Sequence, residues 1–207
     1  MSSRSADGTA FGPLVTLNEP AFVHPSASLY GKVTIEQGAS IWTNAVFRAE
    51  VHEITVGPHS NIQDFVMLHV AAATGTHVGA HCSISHHATI HGCTIGDNCL
   101  IGINATVMDG AVIGDNSIVA GHCIVSDNAR IPPNSIVAGV PGRVVKTRNN
   151  WIANRLNAFA YHHNGLAYAA GEHRRWDGPE WAAVFQAERA RLEAEFAKLL
   201  ETGAQVA

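Results

Sequence analysis

The chain has 207 residues with a net charge of −4, and only 14% of its residues are charged against 46% hydrophobic. That length suits one domain, or one domain with an appendage, and the mild acidity offers no basic stripe for nucleic acid. No apolar run approaches the roughly 20 residues of a membrane span, and residues 1–12 lack the basic-then-apolar order of a signal peptide, so a cytoplasmic protein without membrane or nucleic-acid partners is expected. The low charge also fits a repeat fold whose flat faces are covered by other subunits.

Residues 1–22 read as an extended N-terminal arm. From Val23 an aliphatic or aromatic residue then returns every sixth position, through Leu29, Ile35, Ile41 and Phe47. The register resumes at Val56, Ile62 and Leu68, again at Val78, Ile84 and Ile90, and runs unbroken from Ile95 through Ile101, Val107, Ile113, Val119, Val125 and Ile131 to Val137. A small residue follows four positions later at nearly every step, as at Cys99, Ala105, Ala111, Ser117 and Cys123. Neither a helix nor a plain strand gives a period of six. A fixed short period means repeats that stack on their neighbours, and six residues is the period of a parallel β-helix. The fold class expected is therefore an all-β solenoid of hexapeptide repeats.

The ladder is interrupted between Val51 and Thr55, and between Leu68 and Val78, where Ala-Ala-Ala-Thr-Gly-Thr reads as a loop bulging from a corner. Pro132, Pro133, Gly139, Pro141 and Gly142 close the solenoid. The division expected is an arm over 1–22, the β-helix over 23–146 and a C-terminal α-helical extension over 147–207. Within the extension one helix is predicted from Asn150 to about Ala170. A second, with Asp177 as its cap and Pro179 in its first turn, carries an apolar stripe of Trp181, Val184, Phe185, Leu192, Phe196 and Leu199 that would lie along the solenoid or a neighbouring subunit. Cys82, Cys93, Cys99 and Cys123 show no CxxC spacing and read as compact core residues.

Thirteen histidines is a high number. His24, His52, His59, His77, His162, His163 and His173 fall in loops or on polar helical faces; His69, His86 and His91 are the informative ones, with His81, His87 and His122 as rivals. If three hexapeptides make one coil, Leu68 and Ile90 lie on the same face of adjacent coils, about 4.8 Å apart. His69 and His91 each follow one of them directly and so point outward side by side, a separation that suits chelation of one metal ion. His86 lies near another corner. If it joins the same ion it comes from a neighbouring protomer, which makes a face-to-face trimer with three interfacial sites. Imidazoles at subunit seams also bridge carbonyls without any metal, so geometry leaves both readings open.

Several segments resemble the γ-class carbonic anhydrases: Arg48-Ala49-Glu50, Asn61-Ile62-Gln63-Asp64, Leu68-His69, Ser85-His86, Ile90-His91-Gly92-Cys93-Thr94-Ile95-Gly96, Val107-Met108-Asp109-Gly110-Ala111 and Val137-Ala138-Gly139-Val140-Pro141-Gly142. The resemblance covers about residues 14–146. It implies a left-handed β-helix, a homotrimer, and a Zn2+ ion (or Fe2+ or Co2+) held by His69 and His91 of one subunit and His86 of the next. It implies reversible hydration of CO2 to bicarbonate. Gln63 matches the glutamine that hydrogen-bonds the reacting water or bicarbonate, Asp64 the acid that orients it, and Arg48 the arginine that reaches across the subunit interface. That arginine's usual partner is an aspartate; here the position is Glu50, one methylene longer. A second departure is that Val70 to His77 contains no acidic residue to carry protons, which leaves His77 or His81 as shuttle candidates. Phe65, Met67 and Met108 are candidates for an apolar CO2 lining. The alternatives on the same fold are a thioesterase or acyltransferase acting on CoA thioesters, with His122 as the acyltransferase base, or a non-catalytic metal-binding trimeric scaffold.

Overall fold

A computed structural model describes residues 10–202. The chain winds as a left-handed parallel β-helix of about seven turns, followed by two helices. Three faces form the prism. The first carries short strands such as Ser40–Ile41, Asn61–Ile62, Ser83–Ile84 and Leu100–Ile101, each pairing with the coil above and below. The second carries Met67–His69, Thr89–His91, Thr106–Val107 and Ile124–Val125; the third carries Thr76–Val78, Thr94–Ile95, Val112–Ile113 and Arg130–Ile131. Two long strands, Ser28–Ile35 and Val46–Val56, bend round the corner between the second and third faces and join them into one sheet.

The six-residue register sets the core. Leu29, Phe47, Leu68, Ile90, Val107 and Val125 stack one above another with no exposed surface, as do Ile41, Ile62, Ile84, Ile101 and Val119 on the first face. Each such side chain contributes about 1.5–3 kcal/mol by leaving water. The four cysteines are free thiols within this core, and burial pushes the Cys93 thiol up to about 12.

The corners explain several histidines. Each turn needs a left-handed residue, and Asn44, Asn98, Asn104, Asn116, Asn128 and Asn134 adopt it at φ between 55° and 60°, a conformation asparagine tolerates well. His59 and His81 (both φ 55°), His87 (φ 60°) and His122 (φ 57°) occupy the same slot on other coils. Their backbones do the same work as well: the amides of His81, Asn98 and Asn116 each donate to a carbonyl of the coil below, Pro58, Ala80 and Asp97 respectively. These histidines are corner residues first.

Three expectations are refined. Residues 10–17 of the extended arm already pair with the solenoid: Ala10–Phe11 with Ser28 and Leu29, and Val15–Leu17 with Val33 to Ile35, which adds a further coil to the sheet. Residues 1–9 of that arm lie outside the described residues. Asp177 does not cap the second helix; Gly178 occupies the N-cap and Asp177 pairs with Arg174 instead. The apolar stripe of that helix, α2 (Pro179–Glu201), packs on the first helix, α1 (Trp151–Ala169), and not along the solenoid: Leu192, Phe185, Phe196 and Leu199 close over Trp151, Ile152 and Leu156.

Helix α1 is what covers the solenoid's first face. Asn154 Nδ2 donates to Asn98 O at 2.8 Å, Trp42 packs edge-on against Tyr161 and Tyr168, and a Cβ on Gly165 would sit 3.1 Å from the Ser40 side chain. Beneath α1, His59 and His81 stack at 5.1 Å, with His162 edge-on to His59 at 4.9 Å. Burial, then Arg155 and His59, push His81 down to about 3; burial and then His162 and Arg155 lower His59 too. The folded protein therefore keeps His81 neutral, while the unfolded chain protonates it below about 6.5. Its contribution to stability is complete above that pH and is lost as pH falls from about 6.5 toward 3. Denaturant unfolding at pH 7.0 and 5.5 is expected to show about 1 kcal/mol of loss from His81 after allowing for solvent screening. His81→Asn, the residue of the neighbouring corners, should remove that part of the pH dependence; an unchanged difference between the two pH values refutes the assignment.

Candidate functional site

His69 and His91 lie in register on adjacent strands of the second face, each the outward neighbour of a buried aliphatic, Leu68 and Ile90. Their rings meet edge-on at 4.9 Å, with His69 Nδ1 2.9 Å from His91 Nε2. One coil below, Arg48 pairs in register with His69. Arg48 Nη2 lies 3.1 Å from His69 Nε2, Glu50 Oε2 lies 3.0 Å from the same nitrogen, and Arg48 and Glu50 are 3.4 Å apart. One coil above, the Asp109 carboxylate pairs with His91 Nδ1.

Donor and acceptor chemistry orders this column. Asp109 only accepts, so His91 carries its proton on Nδ1 and presents a lone pair on Nε2. That lone pair accepts from His69 Nδ1–H, which leaves His69 Nε2 to accept from Arg48. Burial pushes the Glu50 carboxyl up, but its backbone hydrogen bond and the neighbouring His69 and Arg48 outweigh that and hold it below the usual carboxylate range. The longer side chain in place of aspartate thus still reaches its arginine, and it reaches a histidine as well.

His86 follows the first-face strand Ser83–Ile84, around a corner from the other two. Its Nδ1 lies 2.9 Å from Asp64 Oδ2, so its Nε2 is also left as a lone pair. Asp64 was expected to orient Gln63 and instead fixes His86. Gln63 is held from another direction: its Nε2 donates to Asn61 Oδ1 at 2.9 Å, Asn61 Nδ2 to Ser83 Oγ at 2.9 Å, and Ser83 Oγ to Asn157 Oδ1 of α1 at 2.7 Å. Gln63 and Asn61 are buried, so this chain fixes which end of the Gln63 amide faces outward.

Asp109, Asn61 and Asn157 thus surround the site without having been assigned a role from sequence. Asp109 lies 18 residues after His91, one coil on, and that spacing was the available signal. Nothing in the sequence placed Asn157, because a helix can dock on any face of a prism.

Of the shuttle candidates, His81 lies under α1 at a different corner, where burial and then Arg155 push its pKa down to about 3. His77 lies on the third face, bonded to Thr55 Oγ1 at 3.0 Å. His122 is exposed at its corner and has no side-chain hydrogen bond among the described residues. Phe65, proposed as a lining residue, takes a left-handed corner and stacks flat on His87 at 4.9 Å, half exposed beside His86.

The donor set fits a divalent metal. His91 and His86 each have one ring nitrogen fixed by a carboxylate, the pattern that orients imidazole ligands, and the proton shared between His91 Nε2 and His69 Nδ1 would give way to a metal bound there. Among the described residues no three histidine, cysteine, aspartate or glutamate side chains of one chain converge in ligating geometry.

A family model described as bacterial transferase hexapeptide (six repeats) matches residues 92–127. A protein of Methanocaldococcus jannaschii named as a probable carbonic anhydrase is 49% identical over 137 residues, which is 65% of this chain and 86% of that protein. Mitochondrial γ carbonic anhydrase 2 of Arabidopsis thaliana is 42% identical over 104 residues, 47% of this chain, and the chain spans only 37% of that relative's length. Among solved structures, a hexapeptide transferase family protein from Anaplasma phagocytophilum superposes with a TM-score of 0.67 at 29% identity, over 76% of this chain and 92% of that one. With its hexapeptide solenoid, its paired face histidines and a relative matched over most of its length, the chain belongs to the γ-class carbonic anhydrase family of hexapeptide-repeat proteins.

Proposed function

We propose that this protein is a γ-type carbonic anhydrase-like metalloenzyme, active as a homotrimer in which His69 and His91 of one subunit and His86 of the next hold a Zn2+, Fe2+ or Co2+ ion. The observation that carries the proposal is the in-register His69–His91 pair together with two separate carboxylate–imidazole anchors, Asp109 on His91 and Asp64 on His86. A metal held there supplies Lewis acidity, which makes water a usable nucleophile toward CO2 near neutral pH.

The chain's own residues do the rest. With its nitrogen engaged by Asn61, Gln63 presents Oε1 as an acceptor for an O–H of the attacking water or of bicarbonate, and so orients the nucleophile. Arg48 and Glu50 hold His69 at its outer nitrogen, and those two neighbours help keep the Glu50 carboxyl below the usual carboxylate range. Exposed Phe65 and Ile103, on the same side of the prism as His86, give the neighbouring subunit an apolar surface to cover.

The test is metal content together with stopped-flow CO2 hydration on anaerobically purified protein, beside His91→Ala. About one metal per chain, with hydration lost in the variant, is the expected result. Metal without hydration would move the reading to thioester hydrolysis or to a metal-binding scaffold, and an absence of metal in the wild type would remove its foundation. The acyltransferase alternative draws on the likeness to the hexapeptide transferase family, but its base, His122, has no carboxylate partner among the described residues to orient it.

A further inference from the structure

Where α1 and α2 meet the corner of His59 and His81, the structure holds a cavity of about 280 Å3 that the metal centre does not use. Four histidines (His59, His81, His162 and His163), Arg155 and Phe159 line it, together with the ion-paired Glu188 and Arg191. Arg155 is partly buried there and makes no hydrogen bond or ion pair among the described residues; its guanidinium lies over the Trp151 ring at 5.2 Å. The carboxylates near it are already engaged. Arg191 takes both oxygens of Glu188 at 2.8 and 2.7 Å and Glu195 at 2.7 Å, and Asp97 accepts the Ala80 amide at 2.7 Å. The cavity therefore holds the Arg191–Glu188 pair, four imidazoles and one guanidinium, Arg155, that feels the charge of Glu195, Glu188 and Asp97 without a direct hydrogen bond to any of them.

We propose that this cavity is an anion site that takes a small phosphate-bearing ligand, with Arg155 as its charged anchor and the imidazole N–H groups of His59 and His81 as further donors. Guanidinium presents a planar fork of donors suited to phosphate oxygens, and the Arg155 fork has no hydrogen-bond acceptor among the described residues. Four histidines also invite a transition metal, but three features oppose it. The Arg155 and Arg191 cations line the same space, His59 and His81 stack with their planes only 12° apart, and no ligating triad is found among the described residues. His162 Nδ1 is moreover committed to the Gly38 carbonyl at 2.8 Å.

Binding is coupled to protonation. Burial and the nearby Arg155 keep His81 and His59 neutral in the empty cavity, and an anion reverses that balance by favouring the imidazolium form. Burial, His162 and Arg175 likewise lower the His163 pKa, against an opposing pull from Glu188. Phosphate therefore binds more tightly at pH 6.5 than at pH 8.0. The shared chemistry is the phosphoryl group, whether free or carried on a small organic molecule whose body rests against Phe159.

The experiment is calorimetric titration of the full-length protein with inorganic phosphate, with glycerol phosphate and, as control, with chloride at matched ionic strength. Saturable phosphate binding is expected, tighter at the lower pH and weakened roughly tenfold or more in both Arg155→Gln and His81→Asn. His81→Asn keeps the corner conformation that asparagine adopts on neighbouring coils, so it separates lost binding from lost fold. Tighter binding of glycerol phosphate than of phosphate assigns an organic phosphate, and the reverse order assigns the free ion. No saturable binding to the wild type, equal affinity in both variants, or a second Zn2+ per chain that His81→Asn removes would each overturn the proposal.

Discussion

A mixture of His86→Ala and His91→Ala subunits, co-expressed in equal amounts, is expected to recover about a quarter of the wild-type metal content and CO2 hydration, although each variant alone has almost none. The prediction follows from how the ligands are distributed over the fold. His69 and His91 share one face, while His86 lies around a corner with its own anchoring carboxylate, and no ligating triad closes within one described chain. Removing either histidine should lower metal affinity by more than the 10–100-fold that losing an outer-shell partner costs. In a closed trimer each interface takes the histidine pair from one subunit and the single histidine from the next. Random assembly places an intact pair from a His86→Ala subunit against an intact His86 from a His91→Ala subunit at about one interface in four. Recovery near that fraction supports the shared site, whereas a mixture as inactive as its components places all three ligands elsewhere.

The second large effect is on stability. Gly31→Ala is expected to destabilise the protein by about 3 kcal/mol or more, from left-handed strain and overpacking together. Gly31 sits at the bend of the long strand Ser28–Ile35 with φ at 81°, and a Cβ there would meet the Ala49 carbonyl oxygen at 1.8 Å. Ala49 lies between Arg48 and Glu50, so any relief of that clash moves the strand that holds His69 in place. Gly171→Ala is the control. Its φ of 79° is nearly the same but nothing lies within 4 Å of the added Cβ, so only the conformational cost of about 1–2 kcal/mol remains. Equal losses in the two variants, measured by denaturant unfolding, would show that the backbone clash is not the cause.

The reach of the sequence can be judged from particular residues. Leu68 and Ile90 each stand on the six-residue register, so the placing of His69 beside His91 followed from counting alone, even across the loop at Ala71 to Thr76. The start of the solenoid was missed because Val15 and Leu17 alternate like an ordinary strand and two residues are too few to reveal a period of six. His81 looked like a proton carrier because it is a histidine close in sequence to the loop; its corner slot and the helix above it were not visible.

By itself the sequence determined the architecture, the inward aliphatic columns and the pairing of His69 with His91. In a solenoid every contact is between neighbouring coils at a fixed sequence interval, so periodicity is already a contact map. Only the tertiary structure decided that Asp64 serves His86 and not Gln63, that α2 docks on α1 instead of the solenoid, and that Asn157 closes the hydrogen-bond chain behind Gln63. Those contacts join segments with no fixed interval between them, and side-chain direction at a corner depends on backbone angles that no repeat pattern specifies.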